Sequence, residues 1–190
     1  MLQAFLDWQR ATLLYKCAGL TGEQLAERAV PPSDLSLLGL IRHLTRVERA
    51  WFRQRFAAEP IEDAYDRDGA FKATDPARAA SDYARFTEEC RLADAAAANA
   101  PLEATFTHNG ETMSLRLIYL HMIEEYARHL GHADLLRERI DGSTGEYPQP
   151  TATPSRSPTS FRERIDAAPA DTPGCRFVPQ PKVVGGASTT

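Results

Sequence analysis

Three side chains of this 190-residue sequence could share one metal ion: His43, Glu125 and His129. Glu125 and His129 stand four residues apart in SLRLIYLHMIEEYARHLGHADLLRERI, where apolar residues recur at helical spacing. Residues i and i+4 of a helix project side by side one turn apart, so a carboxylate and an imidazole placed this way can chelate one ion. At about 100° per residue, His121 and His132 fall on the same stripe, and Ile118 and Leu136 close its ends. Met122, Tyr126, Leu130 and Ala133 border the stripe on one side, Leu117 and Leu135 on the other. Several titratable groups set beside a core destabilise a fold unless they are paired or metal-bound.

His43 is the only histidine before residue 100, and it shares a helical face with Leu40, Val47 and Trp51. Turned inward, it completes a set of two imidazoles and one carboxylate with open positions. Catalytic zinc and ferrous centres have that arrangement, whereas structural sites are closed. Zinc is the first expectation; nickel, iron and manganese accept the same donors, and affinity order does not choose among them in a cell. The plainer readings are a hydrogen-bonded core histidine at 43 and an ordinary salt-bridging Glu-x-x-x-His pair on an exposed helix.

Four helices are needed to hold these groups. The first is marked by Leu2, Leu6, Trp8, Leu13 and Leu14 and ends near Gly19. After the loop VPPSDLS, with its prolines and cap-forming residues, a second helix covers 36–58. Residues 60–71 are acidic and contain glycine, so they read as loop. Asp75-Pro76 caps a third helix that runs to about residue 98. Residues 101–113 read as a connection with an Asn109-Gly110 turn signal, and the fourth helix covers 114–140 before Asp141-Gly142 stops it. Four helices with one apolar face each predict an all-α four-helix bundle; an α-helical array of another topology is the alternative.

Composition changes near residue 145. Residues 148–190 hold 8 of the 13 prolines and many Ser and Thr, with scattered apolar residues, too few to offset the entropy of ordering. The expected division is a bundle domain over 1–146 and a disordered Pro/Ser/Thr-rich tail over 147–190. A net charge of -4 and a pI near 5.8 give no general attraction to nucleic acid or anionic lipid. No apolar run reaches the roughly 18 residues of a membrane span, and the N-terminus lacks the features of a signal peptide. Cys17, Cys90 and Cys175 are far apart and form no C-x-x-C pair, which fits a reducing compartment and argues against a thiolate zinc site. The expected location is the cytoplasm, with neither nucleic acid nor membrane as partner; a homodimer is left open.

The segments SLLGLIRHLTRVERAWFRQRF and HMIEEYARHLGHADLLRERIDGSTGE resemble the DinB-like (DinB/YfiT) superfamily of helical-bundle metalloproteins. More narrowly, they are similar to the branch that includes the mini-circle protein, related to the metal-binding domain of mycothiol-dependent maleylpyruvate isomerase. The resemblance covers roughly residues 2–146. It implies a four-helix bundle whose metal is held by one His of the second helix and a pair four residues apart on the last. Those positions are His43, Glu125 and His129 here. Many superfamily members carry His in place of Glu125, and the maleylpyruvate isomerase carries Glu. His132 follows Gly131 and reads as an outer partner of the ligands or as facing substrate; His121 reads as an outer partner or core residue, and His108 could lie near the mouth.

An open-sided divalent ion lowers the pKa of a bound thiol. The resemblance therefore implies an S-transferase or isomerase that uses a low-molecular-weight thiol such as mycothiol as cosubstrate with a small-molecule partner. Arg42, Arg46 and Arg128 could attract a carboxylate, although surface solvation is the plainer role for each. The maleylpyruvate isomerase has a second domain that helps form its substrate site, and the last 43 residues here are not expected to fold into one. The alternatives are a non-catalytic metal-binding or stress-related interaction module, or hydrolysis by a metal-activated water.

Overall fold

The computed structural model of the chain describes residues 1–72 and 74–144. The expected tail, and with it Cys175, lies outside the described residues. The rest is mostly helical. Four long helices, α1 (Leu2–Cys17), α3 (Leu37–Glu48), α5 (Ala79–Ala97) and α6 (Leu115–Asp141), are joined through two short ones, α2 (Gly22–Ala26) and α4 (Gly69–Lys72). A hairpin of β1 (Thr105–His108) and β2 (Glu111–Ser114) precedes α6.

Helix α1 lies along α6 in the same direction. At one end the Tyr119 hydroxyl donates to Gln3; at the other the Arg137 guanidinium donates to the carbonyls of Lys16 and Ala18. Helix α3 packs on both α5 and α6. The core between them is built from Leu6, Leu13, Leu40, Leu44, Phe86, Met122 and Tyr126, each sealed from solvent. Burying one such side chain is worth about 1.5–3 kcal/mol.

The helix starts and stops follow the sequence signals. Ser36 Oγ accepts from the Gly39 N–H at 3.1 Å, and Ser114 Oγ accepts from the Leu117 N–H at 3.3 Å. Asp75 caps a 3-10 turn (Pro76–Arg78) that leads into α5. Gly142, at φ +76°, closes α6 in the left-handed conformation that glycine adopts without strain.

Three stretches depart from the expectation. The second expected helix is α-helical only to Glu48; Arg49–Phe56 continues the rod as a π-helix, and the Ala57 N–H that ends it donates five residues back to the Phe52 carbonyl. Along this wider turn Arg49 and Arg53 both reach the buried carboxylate of Glu89, a long-range pairing that periodicity does not register. The connection 101–113 forms the hairpin, with Phe106 paired to Met113. Its Asn109 and Gly110 both have positive φ, as a two-residue type I′ turn requires. Helix α4 takes up the last three residues of the expected loop and Lys72. Gly39 lets it lie close on α3, since a Cβ there would come within 3.3 Å of the Phe71 carbonyl oxygen.

Candidate metal centre

The N-cap at Ser36 and the buried row Leu37, Leu40, Ile41 and Leu44 fix the rotation of α3, so His43 faces α6. On α6 the buried row Ile118, Met122, Tyr126 and Ala133 sets Glu125 and His129 toward α3. His43 Nε2 lies 2.9 Å from Glu125 Oε1, and His129 Nε2 lies 3.3 Å from the same oxygen. One donor atom from each residue falls within 4.8 Å of the others. Around a tetrahedral ion with bonds near 2.1 Å the ligand atoms stand about 3.4 Å apart. The cluster is within about half an ångström of that spacing at both contacts. Two borderline nitrogens and one hard oxygen suit a first-row divalent ion, so the residues present fit such a metal.

Glu125 carries the charge that a ligand needs. Hydrogen bonds from His129 and then His43 hold its carboxyl well below the usual carboxylate range, against the opposing effect of burial. His129 is supported from behind: its Nδ1 lies 3.3 Å from His132 Nδ1. With Nε2 given to a metal in place of the hydrogen bond to Glu125, His129 would carry its proton on Nδ1 and donate it to His132, which would fix the ring in that tautomer. Burial, then the neighbouring charges of His129 and Arg128, lower the His132 pKa, which favours the neutral acceptor. Replacing His132 by alanine should weaken metal binding by about 10–100-fold, the usual loss for such an outer partner. Competition with a chromophoric chelator measures this; an unchanged affinity would mean that the contact does not orient His129.

The structure places the other sequence candidates elsewhere. His121 packs on Trp51 at 4.5 Å between ring centres and lies outside the three-residue cluster. His108, from β1, meets the same indole edge-on at 5.9 Å. Arg42 is not a solvated surface residue: it is buried, 3.5 Å from Asp82, with its guanidinium over the Tyr65 ring. Arg46 pairs with Asp63, and Arg128 with Glu124. Cys17 and Cys90 are buried free thiols away from the cluster. Burial pushes the Cys17 thiol up to about 12 and raises that of Cys90, so neither is a nucleophile near neutral pH.

One neighbour of the site had no sequence signal. Phe71 of α4 stacks on the His43 ring, with centres 4.5 Å apart and planes at 27°. It stands in an acidic, glycine-containing stretch, and only the close approach of α4 to α3 at Gly39 brings it to the imidazole.

The family model for mycothiol-S-transferase matches residues 1–142. The chain belongs to the mycothiol-S-transferase family. The match contains every helix and the hairpin described above, together with all three residues of the cluster. No curated protein and no solved structure matches the chain. Membership of a thiol S-transferase family bears out the DinB-like resemblance and gives the cluster a chemical context. Among the described residues no helix is long and apolar enough to cross a membrane.

Proposed function

We propose that this member of the mycothiol-S-transferase family is a metal-dependent enzyme that transfers a low-molecular-weight thiol of the mycothiol type to a small electrophile, or isomerises a substrate through such a thiol adduct. The observation that carries this reading is the convergence of His43, Glu125 and His129 on one point between α3 and α6. Their side chains are 15, 20 and 10 % exposed, respectively: dry enough to hold an ion firmly, open enough for a thiol to reach it. A divalent ion at that point, zinc in the first instance, supplies the positive charge that lowers the pKa of a thiol and makes it a nucleophile near pH 7.

The chain contributes geometry and charge. Glu125 stays ionised and offsets one unit of the ion's charge. His132 holds His129 in one tautomer, and Phe71 fixes the plane of His43. The nucleophile comes from the cosubstrate, since both described cysteines are buried and protonated. Such a thiol pool belongs to a reducing cytoplasm, which two unpaired cysteines fit.

The test is conjugation of mycothiol to 1-chloro-2,4-dinitrobenzene by the full chain, with and without a stoichiometric divalent ion. A rate above buffer that chelation abolishes is the expected result. A metal-loaded protein that reacts no faster than buffer, or a rate indifferent to chelation, would contradict the reading.

A further inference from the structure

Three of the six large apolar side chains exposed among the described residues stand on one helix, α6: Leu117, Leu120 and Leu135, at 46, 51 and 60 % exposure. Single exposed leucines are ordinary on a protein surface. The order of residues along this face is not. Leu117, Glu124, Arg128 and Leu135 follow one another at steps of seven, four and seven residues. At about 3.6 residues per turn those steps come to about two, one and two turns, so the four side chains form one stripe about 27 Å long. It lies opposite the buried row Met122, Tyr126 and Ala133. Glu124 and Arg128 are exposed too, and a single contact of 3.3 Å joins them. The second carboxylate oxygen and the other guanidinium edge stay free among the described residues. From one end the stripe reads leucine, acid, base, leucine; from the other it reads leucine, base, acid, leucine. Two copies laid antiparallel therefore set unlike charges face to face at the centre and leucine against leucine at both ends. Gly131 points the same way. It is exposed in mid-helix, where glycine is unfavourable, and a Cβ there would meet nothing within 4 Å, so the chain's own packing does not call for glycine.

We propose that two copies of this chain associate through α6, packed antiparallel about a two-fold axis that passes between Glu124 and Arg128, beside the exposed Ala127. Such an interface is self-complementary: each contact is made twice. Leu135 of each copy enters the hole between Leu117, Leu120 and His121 of the other, as knobs enter holes in an antiparallel coiled coil. Glu124 of each faces Arg128 of the other. Gly131 of each falls opposite His121 of the other, and the missing side chain leaves room for the imidazole. Glu125 and His129 lie about 80° and 120° round the helix from the stripe, so the pairing covers neither of them.

The experiment is sedimentation velocity of the full chain at about 1–100 μM, the range in which an interface of modest size associates. It compares the parent with Leu135→Glu, Glu124→Arg, Arg128→Glu and the double reversal Glu124→Arg with Arg128→Glu. The parent should reach twice the 21.0 kDa chain mass. Leu135→Glu buries a charge at both ends of the interface and should raise the dissociation constant about 100-fold. Either single reversal turns attraction into repulsion at two places and should raise it about tenfold. The double reversal restores unlike charges across the axis and should return to within about threefold of the parent. All of these side chains are exposed, so far-ultraviolet circular dichroism should show unchanged helicity. A parent that stays monomeric throughout would overturn the proposal and leave the face to the rest of the chain or to another protein. So would a dimer indifferent to Leu135→Glu, or a double reversal that associates as weakly as the single ones. None of these outcomes depends on metal loading or on thiol transfer, so the pairing stands or falls apart from the transferase reading.

Discussion

Replacing Glu48 by alanine is expected to destabilise the fold by about 3 kcal/mol, near the lower end for breaking a buried ion pair from one side. Glu48 is fully buried and Arg10 is 3 % exposed. Two parallel bonds of 2.7 Å join them, and the Tyr126 hydroxyl donates to Glu48 at 2.8 Å. Burial alone would lower the Arg10 guanidinium, but chiefly the Glu48 carboxylate holds it well above its ordinary value. Without Glu48 that charge keeps Asp94 at 2.7 Å and Asp7 at 3.1 Å, which is why the lower end of the range applies.

For a domain of this size the loss corresponds to a Tm roughly 6–12 °C lower. Thermal unfolding followed by circular dichroism reads it directly; a fall of less than about 2 °C would show that the pair contributes little. The double variant Glu48→Met with Arg10→Met should recover much of the loss, because a well-packed apolar pair needs no desolvation of charge. The network also bears on the His43–Glu125–His129 cluster. Glu48 lies five residues after His43, and Tyr126 directly follows Glu125. Their hydrogen bond therefore ties α3 to α6 beside the cluster and sets the register of His43 against Glu125.

The second large effect is at Glu125. Alanine there removes the only anionic donor of the cluster and leaves two facing imidazoles. Metal affinity should fall by more than the roughly 10–100-fold that loss of an outer partner causes, and thiol transfer should fall with it. Helicity should persist, because Glu125 is half-buried at the edge of the core and caps no helix. Glu125→His, which restores a third donor, should recover metal binding where alanine does not. Chelator competition beside far-ultraviolet circular dichroism separates loss of a ligand from loss of fold. An alanine variant that binds metal as tightly as the parent would mean that the carboxylate is not a ligand.

The convergence of His43, Glu125 and His129 was legible in the sequence because its information is local. Glu125 and His129 belong to one long helix, and four-residue spacing suffices to put them side by side. His43 could be joined to them because Leu40, Val47 and Trp51 mark the face that turns inward. The caps at Ser36, Asp75 and Ser114 and the stop at Gly142 are equally local, since each depends on one side chain or one backbone angle.

What was not legible depends on residues far apart in the chain. Phe71 reaches His43 because Gly39 lets α4 approach, and neither residue announces the other. The Arg10–Glu48–Tyr126 network draws on three helices, and each member alone reads as an ordinary helical polar residue. Arg42 read as surface because its partners, Asp82 and Tyr65, come from α5 and from the segment before α4. The π-helical turns after Glu48 are tied to pairing with Glu89 on α5, which a periodicity count does not include. The strands around Asn109-Gly110 are four residues each, too short for alternation to stand out, although the turn itself was plain.

The most direct measurement is the metal content of the full chain purified without an affinity tag, by elemental mass spectrometry, beside His43→Ala and Glu125→Ala. One ion per chain in the parent, lost in both variants while their helicity is retained, is the expected result. No ion in the parent, even after dialysis against zinc, nickel, iron and manganese, would contradict the metal centre and with it the metal-dependent transfer proposed for it.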